Sequence, residues 1–421
     1  MKEYLLDPPR SLILFSHWPA IEGHPHVWGS WKMQDANEHW ARYMLTSESH
    51  PRNDIFPFEL LGEIFSYISG DGPLHLRHVL FVCRLWYQSV VNHQKLWCKI
   101  TVDELFFKRF HHRVMVGRGE RFLRHCMSRS GDIPLHLVVS GRHLSLNSLV
   151  RLSHISNALR LLARWQTPSG EYAISRLESI HWRFSDDEEE ISLFRTYFPA
   201  QLPRLKVLSI RSLYLQKRIY TPFPQCPLLH EVHLKDHSES HSESHYFPKG
   251  DFARVRLLEY TGSSGRGWSW SDVACIGRFA ALHTLVLRDV GTIPRQQKPL
   301  AAAQVELVRL RVLRTIGRVP SIIFYNLDAP GLQTLEFQSS ASGTDSLATF
   351  GTPPMIQNVQ TLYLSVTGSR TWQGEHARRI EELLSACVLL ESVYASLFIY
   401  EHFPTHSLPA HAALLLAPDF L

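Results

Sequence analysis

A short apolar pattern recurs through the second half of this 421-residue chain, and it constrains the fold more than any other feature. The template is Leu-x-x-Leu-x-Leu, with another apolar residue allowed at each slot. Six copies follow it closely: Leu177-Ile180-Trp182, Leu205-Leu208-Ile210, Leu229-Val232-Leu234, Leu282-Leu285-Leu287, Leu332-Leu335-Phe337 and Val359-Leu362-Leu364. Three looser copies start at Leu257, Leu310 and Leu390. Since residues two apart share one side of a strand, each copy predicts a short β-strand with one buried face.

The spacing of these copies resembles that of leucine-rich repeats. Successive copies start 22 to 31 residues apart, mostly within the roughly 20–29-residue period of that family. One copy cannot bury its apolar face alone, so neighbours are expected to stack into a continuous core. The asparagine or cysteine that usually follows the strand is missing, which favours an irregular solenoid. The pattern alone leaves open a set of unrelated strands in a mixed α/β domain.

The register of the predicted strands also indicates which side chains point away from the core. His233, Lys235, Arg288 and Tyr363 alternate with apolar slots, so they are expected on the concave surface of the solenoid. A register error of one residue would reverse this assignment.

The stretch 54–102 is apolar and contains three helical patterns. In the first, residues 58–68, apolar side chains recur with helical spacing, namely Leu60, Leu61, Ile64, Phe65 and Ile68. The second is expected to bury Leu76, Val79, Leu80 and Cys83, and the third carries Trp86 and Val90. A unit of about fifty residues buries only about 60% of its unfolded surface. The apolar area left over should be covered by the rest of the chain or by a partner.

Three blocks of this stretch resemble an F-box, the helical module that docks on a Skp-type adaptor in cullin-based ubiquitin ligases. Phe56-Pro57-Phe58-Glu59-Leu60-Leu61 matches the usual opening, with Phe56 in place of leucine. Val82-Cys83-Arg84-Leu85-Trp86 matches the later Cys-Arg and Trp, and Lys95-Leu96-Trp97 matches the end. A predicted helix at 118–129 and strand at 133–139 follow, and this region resembles the one after the F-box in fungal F-box-like proteins.

The resemblance implies a substrate-receptor subunit of a Skp-cullin-F-box ubiquitin ligase, which binds an unknown protein target through its repeats and is not itself an enzyme. The implied adaptor contacts are Phe56, Pro57, Leu60, Leu61, Ile64, Val82, Cys83, Trp86 and Trp97. Some of these side chains must face the internal core instead, and the sequence does not sort them. The alternative is a leucine-rich-repeat scaffold with no ligase role, whose N-terminal helices cap the solenoid.

The predicted organisation has five parts. They are a poorly ordered extension (1–52), the F-box (53–102), a helical linker with a first repeat-like unit (103–176), the leucine-rich-repeat solenoid (177–400) and a C-terminal tail or cap (401–421). The predicted fold class is therefore α/β, with a three-helix module preceding an irregular solenoid.

Composition and motifs narrow the function classes. A net charge of +5 without a Lys/Arg block predicts no nucleic-acid partner, and no apolar run reaches the length of a membrane span. Six cysteines without a CxxC motif indicate reduced thiols, so a cytoplasmic or nuclear location is expected. The acidic run 185–190, the triplet His237, His241 and His245, and the glycine-rich stretch 262–267 lack the features of a catalytic pair, metal site or phosphate loop. No cofactor is therefore predicted.

Overall fold

The computed structural model describes part of the chain, in two compact units, Met1–Leu177 and Glu178–Leu421. The described residues are 57–68, 72–80, 82, 84–103, 106, 116–140, 148–183, 192–193, 196–198, 201–212, 224–236, 251–262, 270–290, 304–317, 319, 321–340, 354–367, 374–396, 399 and 403–416. The predicted extension 1–52, the acidic run 185–190 and the histidine-rich stretch 237–245 lie outside them, as does almost all of the glycine-rich stretch.

The first unit combines helices with a pair of parallel strands. Its elements are α1 (Phe58–Ile68), α2 (Arg77–Leu80), α3 (Arg84–Asn92), β1 (Lys99–Val102), α4 (Val116–Arg129), β2 (Leu135–Val139) and α5 (Ser148–Arg164). Three 3₁₀ turns join them, at Pro73–Leu76, Gln94–Trp97 and Ala173–Arg176. β1 pairs with β2 in parallel, with Lys99 opposite His136.

Helix α1 packs on α3 through one of its two apolar faces. Leu61 and Phe65 point inward and are almost fully buried. Gly62 lies on the same side, and a Cβ there would come within 2.3 Å of the His93 ring. Because only glycine leaves room for that ring, this position sets how closely α1 approaches the residue that follows α3.

The stretch that contains the three predicted helical patterns ends in a strand. Residues 99–102 form β1. Ile100, Thr101 and Val102 are β-branched and buried, so they fit a strand that is covered on both faces.

The second unit contains a parallel sheet whose strands follow chain order. Its strands are β3 (Leu177–Arg183), β4 (Val207–Ser212), β5 (Glu231–Asp236), β6 (Leu257–Thr261), β7 (Thr284–Arg288), β9 (Val312–Ile316), β11 (Thr334–Ser340), β12 (Thr361–Thr367), β13 (Ser392–Ala395) and β14 (Ala413–Leu416). Two short strands, β8 (Val305–Glu306) and β10 (Leu327–Asp328), pair separately. Helices α6 (Trp270–Ile276), α7 (Ser321–Asn326) and α8 (Gly374–Ala386) lie between strands.

Each of the nine predicted copies supplies one strand, and the second and third template slots form continuous buried ladders. Leu285 lies opposite Leu258 on one side and Leu313 on the other, and all three are fully buried. The chain is therefore mixed α/β with a long parallel sheet, consistent with a leucine-rich-repeat-like solenoid.

The structure corrects the predicted starting residue of one repeat copy. The loose copy assigned to Leu257 begins at Val255, because Leu258 and Tyr260 occupy its second and third slots. Val255, Leu258 and Tyr260 are buried, whereas Leu257 is only half-buried. A start at Leu257 places Gly262 in the third slot, whereas a start at Val255 fills all three slots with apolar residues.

Each repeat has one further buried position, three residues before the first residue of the template. In each repeat from β4 to β13, the amide of the first template residue donates to the carbonyl three residues earlier, as Leu205 does to Leu202 and Leu282 to Phe279. The residues supplying that carbonyl are all buried: Leu202, Cys226, Phe252, Phe279, Leu307, Ala329, Ile356 and Cys387. This turn brings the chain into every strand with the same geometry. Because residues of different chemistry occupy this position, the sequence pattern does not reveal it.

Candidate binding surfaces

The outer face of α1 carries a row of exposed apolar side chains. Leu60, Ile64, Tyr67 and Ile68 are 45%, 39%, 88% and 45% exposed, and they recur at i, i+4, i+7 and i+8. Val82, after α2, is also exposed. Since the inner face of α1 already packs on α3, this row is surplus to the core of the first unit. We call it the α1 patch.

The structure sorts the sequence-predicted adaptor residues into different environments. Pro57, Leu60, Ile64 and Val82 are exposed, and three of them belong to helix α1 or its first turn. Leu61 and Trp97 are buried in the core. Trp86 is half-buried, with its ring 5.1 Å from that of Phe65. Phe56 and Cys83 lie outside the described residues. Tyr67 is an exposed member of the α1 patch that the sequence reading did not include.

Trp97 is held as a structural residue at the end of the predicted module. Its Nε1 donates to the carbonyl of Val90 at 2.8 Å, and its ring meets that of His125 edge-on at 5.2 Å. Burial, together with the smaller effect of the Arg129 charge, lowers the pKa of His125 to about 4. His125 is therefore neutral near pH 7 and packs against Trp97 as an uncharged ring.

The outward face of the sheet in the second unit forms the other candidate surface. Along the strands, outward positions alternate with the buried ladders, and adjacent strands bring them side by side. His233, Lys235, Arg288 and Tyr363 all occupy this face and are half-buried. One outward-facing residue from each strand, at the same register position, forms a central row across the sheet. In strand order these residues are His181, Ser209, His233, Glu259, Val286, Arg314, Glu336, Tyr363, Tyr394 and Leu415.

His233 is held between two carboxylates on this face. Its Nδ1 lies 2.8 Å from Glu259 Oε2, and its Nε2 lies 2.6 Å from Glu231 Oε1. Both ring nitrogens can donate only when the imidazole is protonated. The hydrogen bond to Glu259 raises the pKa of His233 the most, and the bond to Glu231 raises it further against the opposing effect of burial. Glu259 also accepts from Arg288 Nε at 2.5 Å. The hydrogen bond from His233, and after it the one from Arg288, lower the pKa of Glu259 to about 2.

Replacing Glu259 by glutamine should lower the pKa of His233 more than replacing Glu231 by glutamine, because Glu259 contributes the larger upward shift. The protonated pairing stabilises the folded unit fully below about pH 6.5, the pKa of an unfolded histidine, and is lost as pH rises through the raised value. Glu259 contributes above its unfolded pKa of about 4.3, and its contribution is lost as pH falls toward about 2. NMR titration of the His233 ring in both variants measures the difference. Equal shifts in the two variants would contradict the assignment.

The far end of the same face changes from charged to aromatic. Arg314 Nε donates to Glu336 Oε2 at 2.6 Å, with Glu336 almost fully buried. On the next two strands, the rings of Tyr363 and Tyr394 stack with centroids 4.6 Å apart and an interplanar angle of 8°. Burial raises the pKa of Tyr363, and the neighbouring Tyr394 raises it further. This face therefore offers charged contacts on its middle strands and an aromatic platform beyond them.

The buried thiols in the described part of the chain are structural side chains. Burial raises the pKa of the thiols of Cys226 and Cys387 to about 12, and it also raises that of Cys126. These thiols remain protonated and fill apolar slots. Among the described residues, no cluster of three or more His, Cys, Asp or Glu side chains could hold a metal ion. Within the same part of the chain, no helix is long and apolar enough to cross a membrane.

Comparison with known proteins adds one distant structural similarity. No protein-family model and no curated protein matches the chain. Among solved structures, an internalin from Listeria monocytogenes matches with 11% sequence identity and a TM-score of 0.24, covering 68% of this chain and 92% of the internalin chain. At this TM-score the similarity carries no argument, so the description of the fold rests on strand order and register.

Proposed function

We propose that this protein is the substrate receptor of a Skp-cullin-F-box ubiquitin ligase, working inside the cell. In this role the first unit binds the adaptor through the α1 patch, and the repeat array of the second unit binds a protein target. The chain itself makes and breaks no bonds. It raises the effective concentration of target lysines near the ubiquitin-charged enzyme, which is the benefit of tethering.

One observation carries the proposal. Helix α1 is apolar on two faces, and its inner face, with Leu61 and Phe65, is already occupied within the first unit. The outer face leaves Leu60, Ile64 and Ile68 exposed in helical spacing. An amphipathic helix that presents such a row typically inserts it into an apolar groove of a partner. The same helix opens the stretch that resembles an F-box, and this resemblance supplies the identity of the partner.

The double variant Leu60→Asp/Ile64→Asp should lose most of its affinity for a Skp-type adaptor. Each substitution places a charge where the docked complex is desolvated, so a combined loss of about 2–3 kcal/mol, roughly 30- to 150-fold in Kd, is expected. Both side chains are exposed in the free chain, so the fold should be retained. Affinity purification with quantification of the co-purified adaptor measures the loss, and circular dichroism reports the fold.

A matched control introduces the same two charges elsewhere. Val388 and Leu389 are exposed apolar neighbours in the second unit, and Val388→Asp/Leu389→Asp should leave adaptor binding unchanged. Equal adaptor recovery from the wild type and the α1 variant would overturn the ligase proposal. Mass spectrometry of both purifications then separates the partners: proteins lost with the α1 variant belong to the ligase, and those retained are candidate targets.

The second candidate function is a repeat scaffold with no ligase role. The long parallel sheet with an outward face of mixed charged and aromatic side chains favours it, because such a face can bind a protein without any help from the first unit. Under this alternative, native-level purification recovers a partner protein and no stoichiometric adaptor.

A further inference from the structure

A stripe of basic side chains runs along the N-terminal edge of the sheet in the second unit. One residue directly precedes each strand from β4 to β13, and these residues form a single row across the edge. In chain order they are Lys206, His230, Arg256, His283, Arg311, Gln333, Gln360 and Glu391. The first five are basic or can become so. We call these five the edge stripe.

The backbone fixes the spacing of the edge stripe. From Lys206 to Gln360, the carbonyl of each row residue accepts two amides of the next repeat, as the Arg256 carbonyl accepts from His283 and Thr284 at 2.8 and 2.9 Å. The carbonyl of His283 accepts from Arg311 and Val312 in the same way. Each side chain therefore starts from a rigid position, about 4.8 Å from its neighbours. Four such steps make the stripe about 19 Å long.

The edge stripe includes a concave site lined almost entirely by cations. Arg256, His283, Arg309 and Arg311 line a cavity of about 400 Å³, and all four side chains are exposed. Arg311 Nη1 donates to the carbonyl of Gly331 at 2.8 Å, which anchors its guanidinium at the wall. His283 Nδ1 donates to the carbonyl of Ala281 at 2.8 Å, which fixes its ring. The volume exceeds what a single small anion needs.

These cations lack intramolecular counterions within the described part of the chain. No carboxylate there forms an ion pair with Arg256, Arg309 or Arg311. The nearby acidic side chains on the sheet face have other partners: Glu231 and Glu259 contact His233, and Glu336 contacts Arg314. Like charges held this close repel each other, and an anionic ligand would remove that cost.

The ends of the row limit the size of the ligand. At one end Glu178 pairs with Lys206 at 2.7 Å, and at the other the row continues with Gln333 and Gln360 to Glu391. An extended chain covers about 3.3 Å per residue, so the stripe matches about six residues. The row residues include no Phe, Tyr or Trp side chain, the large rings on which bases stack best. A short acidic segment fits better than a nucleic-acid strand, whose charge continues past both ends.

We propose that the edge stripe is a docking site for a short acidic segment of a partner protein, with its carboxylates bound in the cavity lined by Arg256, His283, Arg309 and Arg311. The site is separate from the α1 patch. The proposal holds whether the repeats serve a ligase or a scaffold.

Fluorescence anisotropy of the full chain with labelled hexaglutamate tests the site. The chain should bind this peptide but not hexaglutamine, and more weakly as ionic strength rises. Arg256→Gln/Arg309→Gln should weaken binding by about fivefold to tenfold, the effect of losing two exposed ion pairs. The control Arg121→Gln/Arg378→Gln removes the same charge from exposed positions on α4 and α8. It should change Kd by less than about twofold.

Three results would overturn the proposal. Equal weakening in the stripe and control variants would mean that net charge alone attracts the peptide. Tighter binding of a single-stranded oligouridylate of the same length, lost in the stripe variant, would assign the stripe to nucleic acid. Full displacement of the peptide by an equal concentration of inorganic phosphate would assign the cavity to a small anion. Adaptor recovery should be unaffected in the stripe variant, so failure here is distinguishable from failure of the ligase proposal.

Discussion

Replacing Leu285 by aspartate should unfold the centre of the repeat array. Leu285 is fully buried on β7, between Leu258 of β6 and Leu313 of β9. Loss of the leucine side chain alone costs about 3–5 kcal/mol at such a site, and the buried carboxylate adds a desolvation penalty of several kcal/mol. This exceeds the share of stability that a few adjacent repeats can supply. Hydrogen exchange of the β6, β7 and β9 amides, read by mass spectrometry, should show loss of protection.

The neighbouring residue provides the control for Leu285. Thr284→Asp introduces the same carboxylate one position earlier on β7, on the outward face, where Thr284 is half-buried. Because successive side chains alternate between faces, this variant should keep the protection of all three strands, with a change below about 1 kcal/mol. If both variants unfolded equally, or if Thr284→Asp were the worse of the two, the register described for the sheet would be wrong.

The repeat array could be predicted from the sequence because the same positions must be buried in every copy. A slot that must be apolar in every copy leaves a signal that accumulates over nine copies, even where single copies are weak. Position 257 shows how a single copy can still be misplaced. A start at Leu257 puts Gly262 in the third slot, whereas Val255, Leu258 and Tyr260 fill all three slots. The pairing of Leu258 with Leu285 agrees with the start at Val255. The buried slot three residues earlier escaped because Phe252, Cys226 and Ala329 share burial but not chemistry.

Arg176 shows a feature that periodicity cannot reveal. Its side chain is fully buried in the first unit, and its guanidinium donates to the carbonyl of Ile133 and to Ser130 Oγ. Ser130 Oγ in turn donates to the carbonyl of Met127. A buried cation needs such a prearranged set of acceptors. In the sequence, these partners lie more than forty residues away, and an arginine just before a strand is expected to be exposed.

The α1 patch and the edge stripe differ in how far the sequence could predict them. The spacing of Leu60, Leu61, Ile64 and Phe65 predicted the helix. It could not divide these residues between the packed and the exposed face, because every one of them is apolar. The edge stripe was not predicted, since its members are single basic residues about 25 residues apart that meet only when the strands stack. Charge patterning within a short window does not detect such a row.

Trp97→Ala should destabilise the first unit by about 3–5 kcal/mol, the usual cost of removing a buried large side chain. The change empties the site beside His125 and leaves the Val90 carbonyl without the donor it has at 2.8 Å. Trp97→Phe keeps most of the volume and loses the Nε1 hydrogen bond, so a smaller cost of about 1–2 kcal/mol is expected. Segment-resolved hydrogen exchange over α3 and β1 measures both variants without assuming a single global unfolding transition.

Comparison with Tyr67 separates a structural from a contact role for Trp97. Tyr67→Ala removes an aromatic side chain that is 88% exposed, so its effect on stability should be within about 0.5 kcal/mol. Within the ligase proposal, Trp97→Ala should lose adaptor only in proportion to the fraction of unfolded first unit, and stabilising conditions should restore binding. Tyr67→Ala should weaken adaptor binding while folding stays intact. A stable Trp97→Ala variant that fails to bind the adaptor would instead make Trp97 a direct contact and would contradict its buried position.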